Sequence, residues 1–343
     1  MRLLKSISVF HSVVRFYRNP RWLRPYLRDL YYRRLDQGPE PYRPRSFWSN
    51  WNNEAELGAF CHRIGENIPT EVLNRALTDK SYAPITASSS TCDALLPPSE
   101  CNTQYIRKGH ELAESYMCAF LRHVYPRVPE EWIVSIVDCL LSTTQLSFTA
   151  ANLGLRDLVL YGSEDSPGGK PDSINPPSPE VTSNSLLSII GALAEIDLER
   201  AYLFIRDFLL TPLVDLDLTG DIVVIENPLP LLHGMLLSEG KPPPESRLQY
   251  QTGMNTLVAC YQVGIYSGES LVGEAPGETP EIAEQEAARQ AIRNMVGLSD
   301  HRPPLPLSGP APSFDSNQLA KRNVSVSTYL NLLMQQPQCN LAY

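Results

Sequence analysis

The sequence predicts a mostly helical domain followed by a smaller α+β domain of α-β-β-α outline. Three observations carry this. From Asn52 to Leu210 apolar residues recur at three- and four-residue spacing. Between Cys260 and Ala275 the recurrence shifts to every second residue. From Glu281 to Met295 it returns to a helical pattern rich in alanine. A chain of 343 residues accommodates two modest domains with extensions, and 43% hydrophobic content permits a sizeable core. No window approaches the ~20 apolar residues that a membrane-spanning helix requires.

At the N-terminus, Leu3, Ile7, Phe10, Val14 and Tyr17 fall on one helical stripe with Arg2, Lys5 and Arg15 off it, and no acid precedes Asp29. An amphipathic, Arg-bearing, acid-poor start fits a mitochondrial presequence over residues 1 to about 25–35, with a retained basic extension as the alternative. A secretory signal is disfavoured, because arginines interrupt the apolar run and no small-residue cleavage site follows. Basicity continues through Arg33, Arg34, Arg43 and Arg45. Residues 1–45 carry eleven Lys/Arg against three acids, a net of +8, which leaves 18 basic and 35 acidic residues elsewhere, a net of −17. A basic arm on an acidic body reads as an address or a polyanion contact. The acidic body argues against a broad electrostatic grip on nucleic acid.

The first domain opens with Ala55, Phe60, Ile64, Leu73, Ala76 and Leu77 at helix spacing. Residues 83–101, rich in Ser, Thr and Pro, read as a loop. Asn102-Thr-Gln-Tyr-Ile-Arg-Lys-Gly-His110 then opens a helix that runs on to Tyr125-Pro126, with Leu112, Tyr116, Ala119, Phe120 and Val124 on its apolar face. Pro129-Glu-Glu starts the next helix, proline early and acids in the first turn, and its inward face is Trp132, Ile133, Ile136, Val137 and Leu140. Ala150-Ala-Asn-Leu-Gly-Leu155 follows. After a polar Pro/Gly insert at 163–180 comes Asn184-Ser-Leu-Leu-Ser-Ile-Ile-Gly-Ala192, and a further helix spans Ala201 to Leu210. In the second domain Pro228–Ser238 reads as a short helix and Gly240–Glu245 as a Pro-rich hinge. Two strands are legible, one around Tyr261, Val263 and Ile265 and one at Leu271–Ala275. The closing helix points Ile282, Ala283, Ala287, Ala288 and Ile292 inward. Residues 299–316 are Pro-rich, and the last 27 form a tail whose Tyr329, Leu330, Leu332 and Leu333 either dock a partner or fray.

Several of these segments resemble the ribonuclease III family. The stretch from Asn102 to Pro126 is similar to its signature Asn-Glu-Arg-Leu-Glu-Phe-Leu-Gly-Asp, which ends in an aromatic-Pro pair, with Asn102, Gly109 and Pro126 in register. Ala76-Leu-Thr-Asp-Lys-Ser-Tyr82 resembles Ala-Leu-Thr-His-x-Ser-Tyr with Asp79 in place of His. Ala150–Leu155 matches Ala-x-x-Leu-Gly-Leu, and Asn184–Ala192 resembles the second signature, Asp-x-x-Glu-Ala-x-x-Gly-Ala. The later αβββα segment, with Gly277 before an Ala-x-x-x-Ala-Ala helix, resembles a double-stranded RNA-binding domain. Phe47-Trp-Ser-Asn-Trp51 and Phe204-Ile-Arg-Asp-Phe208 point to the catalytically degenerate branch of the family, the ribonuclease III-like proteins of the mitochondrial large ribosomal subunit. The resemblance implies four segments: a presequence and basic arm at 1–45, a ribonuclease III-like domain at 46–220, a double-stranded RNA-binding-like domain at 221–298, and a Pro-rich linker and tail at 299–343.

Hydrolysis in the active family needs divalent metal to activate water and stabilise the departing oxygen, and magnesium wants carboxylate ligands. The four matching positions are Ile106, His110, Asn184 and Leu187. Isoleucine and leucine cannot ligate, asparagine offers a neutral amide oxygen, and histidine prefers softer metals. Substitutes would have to come from Glu111, Glu114, Glu195 or Asp197, which read more simply as a solvated helix face. His62 and His123 stand alone, with no chemistry assigned to them. Seven cysteines show no C-x-x-C pair, so zinc is unsupported and reduced, buried thiols are expected. The implied protein is a pseudo-ribonuclease with no catalytic residues, metal or cofactor. The duplex-RNA domain departs from its pattern as well. Pro280 and Glu281 stand where a Lys-Lys pair meets phosphates, with Glu278 nearby. The RNA-contact candidates are Arg33, Arg34, Arg43 and Arg45 on the arm and Arg289 and Arg293 on the last helix. The expected role is a structural one in the mitochondrial matrix. It comprises contact with large-subunit rRNA, with neighbouring ribosomal proteins and with a second ribonuclease III-like subunit, in support of subunit assembly and translation. The alternatives are an active double-strand-specific endoribonuclease and a free duplex-RNA adaptor.

Overall fold

The computed structural model describes residues 23–38, 45, 48–82, 101–161, 176–214, 216, 218–253, 256, 259–299 and, with gaps, 302–335. The stripe at residues 1–18, the loop at 83–100, most of the 163–180 insert and Arg43 lie outside them.

Helix α1 (Leu23–Gln37) carries no buried residue. The helical domain follows. Asn52 caps α2 (Asn53–Ile64) through a hydrogen bond from Glu54 N–H, and Gly65 ends it at φ +80°, where glycine carries no Cβ penalty. Leu57 and Phe60 face the core from α2, and Leu73, Ala76 and Leu77 from α3 (Thr70–Leu77). Ala55, expected inward, is exposed. Helix α4 (Thr103–Val124) crosses the middle of the domain. Helices α5 (Glu130–Leu140) and α6 (Thr143–Asn152) follow, and all five residues expected on the inward face of α5 are buried. Helix α7 (Pro179–Ile196) has Ser178 as N-cap and Pro179 in its first turn, so it starts inside the segment expected as an insert. Asp197 caps α8 (Leu198–Phe204), whose hydrogen bonding widens to a π-helical stretch at Ile205–Leu210.

In the second domain α9 (Pro228–Ser238) leads into an antiparallel sheet of order β1-β2-β3, formed by Pro244–Thr252, Cys260–Ser267 and Ser270–Gly277. The predicted hinge therefore runs directly into β1, which pairs Arg247 with Gly264 and Leu248 with Val263. Val263 and Ile265 turn towards α10 (Pro280–Val296), where Ala283, Ala287, Ala288, Ala291 and Ile292 are fully buried. Ile282, expected inward, is 46% exposed, because the buried stripe starts one residue later at Ala283.

The Pro-rich segment and the tail after it, the latter expected to dock a partner or fray, pack on their own chain in their described residues. Arg302 donates to the Leu213, Val214 and Leu216 carbonyls, and Arg206 donates to the Gly309 carbonyl. Phe314 packs against Tyr116 with ring centroids 5.7 Å apart. Asn323 donates to the Tyr125 and Val128 carbonyls, and helix α11 (Val326–Gln335) lies on α9 with Tyr329 buried. Buried residues from both domains and from Tyr329 form one continuous core. Among the described residues no single helix is long and apolar enough to cross a membrane. The bent pair α5–α6 comes nearest in length and composition, and its apolar side chains are largely core.

Candidate functional site

The four signature positions lie on one antiparallel helix pair, α4 against α7. The crossing is set by two glycines. A Cβ on Gly109 would sit 1.9 Å from the Leu187 carbonyl oxygen, and one on Gly191 would sit 2.1 Å from the Tyr105 carbonyl oxygen. Backbone therefore rests on backbone, and no other residue type fits either place. Serines fill the next layer. Ser188 Oγ lies 2.5 Å from the Ala76 carbonyl and 2.7 Å from the Ser185 carbonyl, so a hydroxyl buried on α7 reaches the backbone of α3.

Around this crossing Ile106 packs half-buried against the core, Leu187 is buried, Asn184 is half-buried and His110 is exposed. His110 Nδ1 is 3.8 Å from the Glu114 carboxylate. The acids weighed as substitute ligands are otherwise engaged. Glu111 accepts from Arg107 at 3.0 Å and Glu195 pairs with Lys108, whose ammonium pKa is raised by that hydrogen bond and by the carboxylate's charge. Asp197 is occupied as the α8 cap, accepting from Glu199 N–H at 2.9 Å. Among the described residues no group of three or more His, Cys, Asp or Glu side chains is placed to hold a metal ion. Further along α4, Tyr116 stacks on Tyr202 at 4.5 Å between centroids, and burial pushes its phenol up to about 12. No motif foretold this stack. The signal available was Tyr116 on the apolar face of α4.

Asp79, which stands where the family has histidine, is buried and accepts from Ser81 Oγ at 2.6 Å and Ser81 N–H at 3.1 Å. It shapes the turn after α3, where Thr78 bridges to Leu160 and the Thr78 carbonyl accepts from Asn102 N–H.

The described RNA-contact candidates are spread over α1, the turn before α2, and α10. Arg33 and Arg34 are exposed on α1. Arg45 is pinned to the body by Glu56 at 3.2 Å and through its backbone N–H by Asp157 at 3.4 Å. Arg289 turns inward, with Nε donating to the Ile225 carbonyl at 3.3 Å and a guanidinium nitrogen on Glu286. Arg293 is half-buried on the same helix. Pro280, Glu281 and Glu278 are all exposed at the N-terminal end of α10.

Comparison with known proteins gives a consistent picture. Residues 52–193 match the family model described as the endonuclease domain of large ribosomal subunit protein mL44, and residues 223–330 match the MRPL44 dsRNA-binding domain. A curated relative, the large ribosomal subunit protein mL44 of Caenorhabditis elegans, is 29% identical over 288 residues, spanning 82% of this chain and 69% of that protein. Among solved structures, the nuclease domain of ribonuclease III from Campylobacter jejuni is 21% identical, covering 45% of this chain and 93% of that one, with TM-score 0.34. Dicer from Pichia stipitis is 15% identical, covering 56% and 87%, with TM-score 0.29. With both domain models of one protein family matched in order across most of its length, the chain belongs to the ribonuclease III-like mL44 family.

Proposed function

We propose that this chain is a structural component of the large subunit of the mitochondrial ribosome. It contacts rRNA and neighbouring ribosomal proteins in the matrix and supports subunit assembly and translation. The observation that carries this reading is the ordered match to both domains of a large-subunit ribosomal protein, together with a relative of that name.

In this reading the chain is a pseudo-ribonuclease. The residues at the metal positions do not fit a magnesium site. Ile106 and Leu187 are spent on packing, Asn184 offers a neutral amide, and the His110 imidazole lies beside Glu114. Gly109 and Gly191 keep the helix pair in contact, which a scaffold needs as much as an enzyme does. RNA contact falls to the basic arm, with Arg33 and Arg34 on its exposed helix and Arg43 further along its sequence. Arg45 and Arg289 have a larger share in holding the fold, and Arg293 stays a candidate on α10. The N-terminal stripe serves as the presequence.

Sucrose-gradient fractionation of mitochondria tests the assignment. The chain is expected to co-sediment with the large subunit and to leave those fractions when the subunit is dissociated by removal of magnesium. A free or small-subunit distribution contradicts the proposal.

A further inference from the structure

We propose that α1 is an RNA-docking helix that holds unpaired or looped RNA, with bases stacking on Tyr31 and Tyr32 and phosphates meeting Arg24 and Arg28. The inference rests on the ribosomal reading for which RNA is bound, and on its own observations for how.

The first observation is that fifteen helical residues have no buried side chain. A helix of this length is marginal in water without tertiary packing. The chain's own body, net −17 outside residues 1–45, would attract a basic helix, yet no side chain of α1 is buried against the other described residues, which leaves its surface open to a partner.

The second observation is the face the helix presents. Arg24, Arg28, Tyr31 and Leu35 recur at the spacing of one helical face, with Tyr32 adjoining. Both acids of the helix, Asp29 and Asp36, lie off the face of Arg24, Arg28, Tyr31 and Leu35, on the far flank of Tyr32. Tyr31 is 61% exposed and Tyr32 56% exposed, and their rings meet edge to face with centroids 5.9 Å apart. Two aromatic faces set at an angle and flanked by guanidinium groups match the chemistry of single-stranded nucleic acid, where bases stack and phosphates pair. An A-form duplex offers no base faces to stack on. A helix built for a protein groove gathers its apolar residues on one stripe. Here the arc that holds Leu23, Leu27, Leu30 and Leu35 is interrupted by Arg24 and Arg34.

The third observation is sequence position. Helix α1 begins at Leu23, next to the short end of the range expected for a presequence, and carries Asp29 and Asp36, two of the first three acids of the chain, so the proposal places cleavage before α1.

The test uses the purified mature chain and fluorescence anisotropy with a labelled RNA hairpin bearing a mixed-sequence single-stranded loop. A blunt duplex of the same stem and anionic lipid vesicles serve as the other arms. The hairpin is expected to bind more tightly than the duplex. The double variant Tyr31→Ala/Tyr32→Ala is expected to lose about tenfold or more in hairpin affinity, while Tyr31→Phe/Tyr32→Phe keeps it. Arg24→Gln/Arg28→Gln is expected to lower the slope of log affinity against log salt by about 1.4. None of these changes is expected to move the unfolding temperature, because none touches a buried group. Unchanged affinity in the Tyr→Ala variant, a preference for vesicles over the hairpin, or a mature N-terminus mapped beyond Arg24 overturns the proposal. Binding to naked RNA is measured without ribosomes, so its failure is distinguishable from failure to co-sediment.

Discussion

In the helical domain Gly109 and Gly191 let α4 and α7 cross with backbones in contact. In the sheet domain Gly273 and Gly277 do the same for α10 against β3, where an added Cβ would lie 2.7 Å from the Ala287 carbonyl oxygen and 2.5 Å from the Ala283 nitrogen. Both modules thus keep the residues on which backbone rests. They differ in what stands at the positions that face a ligand. In the proposed reading the first module loses its charge, at Ile106, His110, Asn184 and Leu187, of which Leu187 is buried in the core. In the second, on the same reading, charge is lost at Pro280 and reversed at Glu281, beside Glu278, all on the surface. Packing positions are constrained from every side, whereas ligand positions at a surface are constrained only by the ligand. A chain that keeps the first set and not the second retains a shape without its chemistry. The two kinds of loss also differ in depth, because a surface charge can be restored by substitution and a ligand position absorbed into the core cannot.

The largest effect should come from breaking the shared feature. Gly109→Ala or Gly191→Ala is expected to destabilise by about 3 kcal/mol or more, since the clash is with a carbonyl of a packed helix and not with a side chain that can turn away. Gly58, mid-helix on α2 with nothing within 4 Å of an added Cβ, is the control, and Gly58→Ala should stabilise by up to about 1 kcal/mol. Denaturant unfolding of the three variants checks both signs. The contrast between the modules sharpens through Pro280→Lys/Glu281→Lys, which should raise affinity for blunt duplex RNA about tenfold at low salt, read by a gel-shift titration.

A smaller effect concerns how the modules are held together. Asn323→Ala leaves the Tyr125 and Val128 carbonyls without that donor and should cost about 1–2 kcal/mol, with faster hydrogen exchange across residues 319–335. Glu131 adds a pH dependence to the same strap. Burial acts to raise its carboxyl, but hydrogen bonds from Ser325 Oγ, from Val326 N–H and from its own N–H outweigh this and hold it below the ordinary carboxylate range. A depressed folded pKa gives stability that is present at neutral pH. That stability is lost as pH falls from the unfolded value through the folded one. Glu131→Gln should remove a small part of the acid sensitivity of the strap, measured by exchange between neutral pH and pH 4.

Much of this architecture was legible in the sequence, and the parts that were not share a cause. The inward faces of α5 and α10 were readable because burial imposes a helical period on apolar residues, and the signature glycines because close backbone contact tolerates no substitute. Strand β1 carried no such period, since it is exposed along nearly its whole length and is held by its ladder to β2. The docked C-terminal segment was equally silent. Arg302, Arg206, Arg122 and Asn323 hold it largely through backbone carbonyls, and carbonyls leave no trace in composition. Of the candidate RNA contacts, Arg45 and Arg289 look alike in sequence to Arg33, and their carboxylate partners Glu56 and Glu286 separate them in the fold. The Tyr31–Tyr32 pair was visible as two adjacent aromatics but lay in a segment read for its charge.

In the proposed reading this chain keeps a nuclease's shape and not its chemistry. The decisive measurement is incubation of the purified protein with duplex RNA and Mg²⁺ or Mn²⁺. No metal-dependent cleavage above that of a heat-denatured control is expected. Specific, metal-dependent cleavage that is abolished by Glu114→Ala or Glu195→Ala would contradict it.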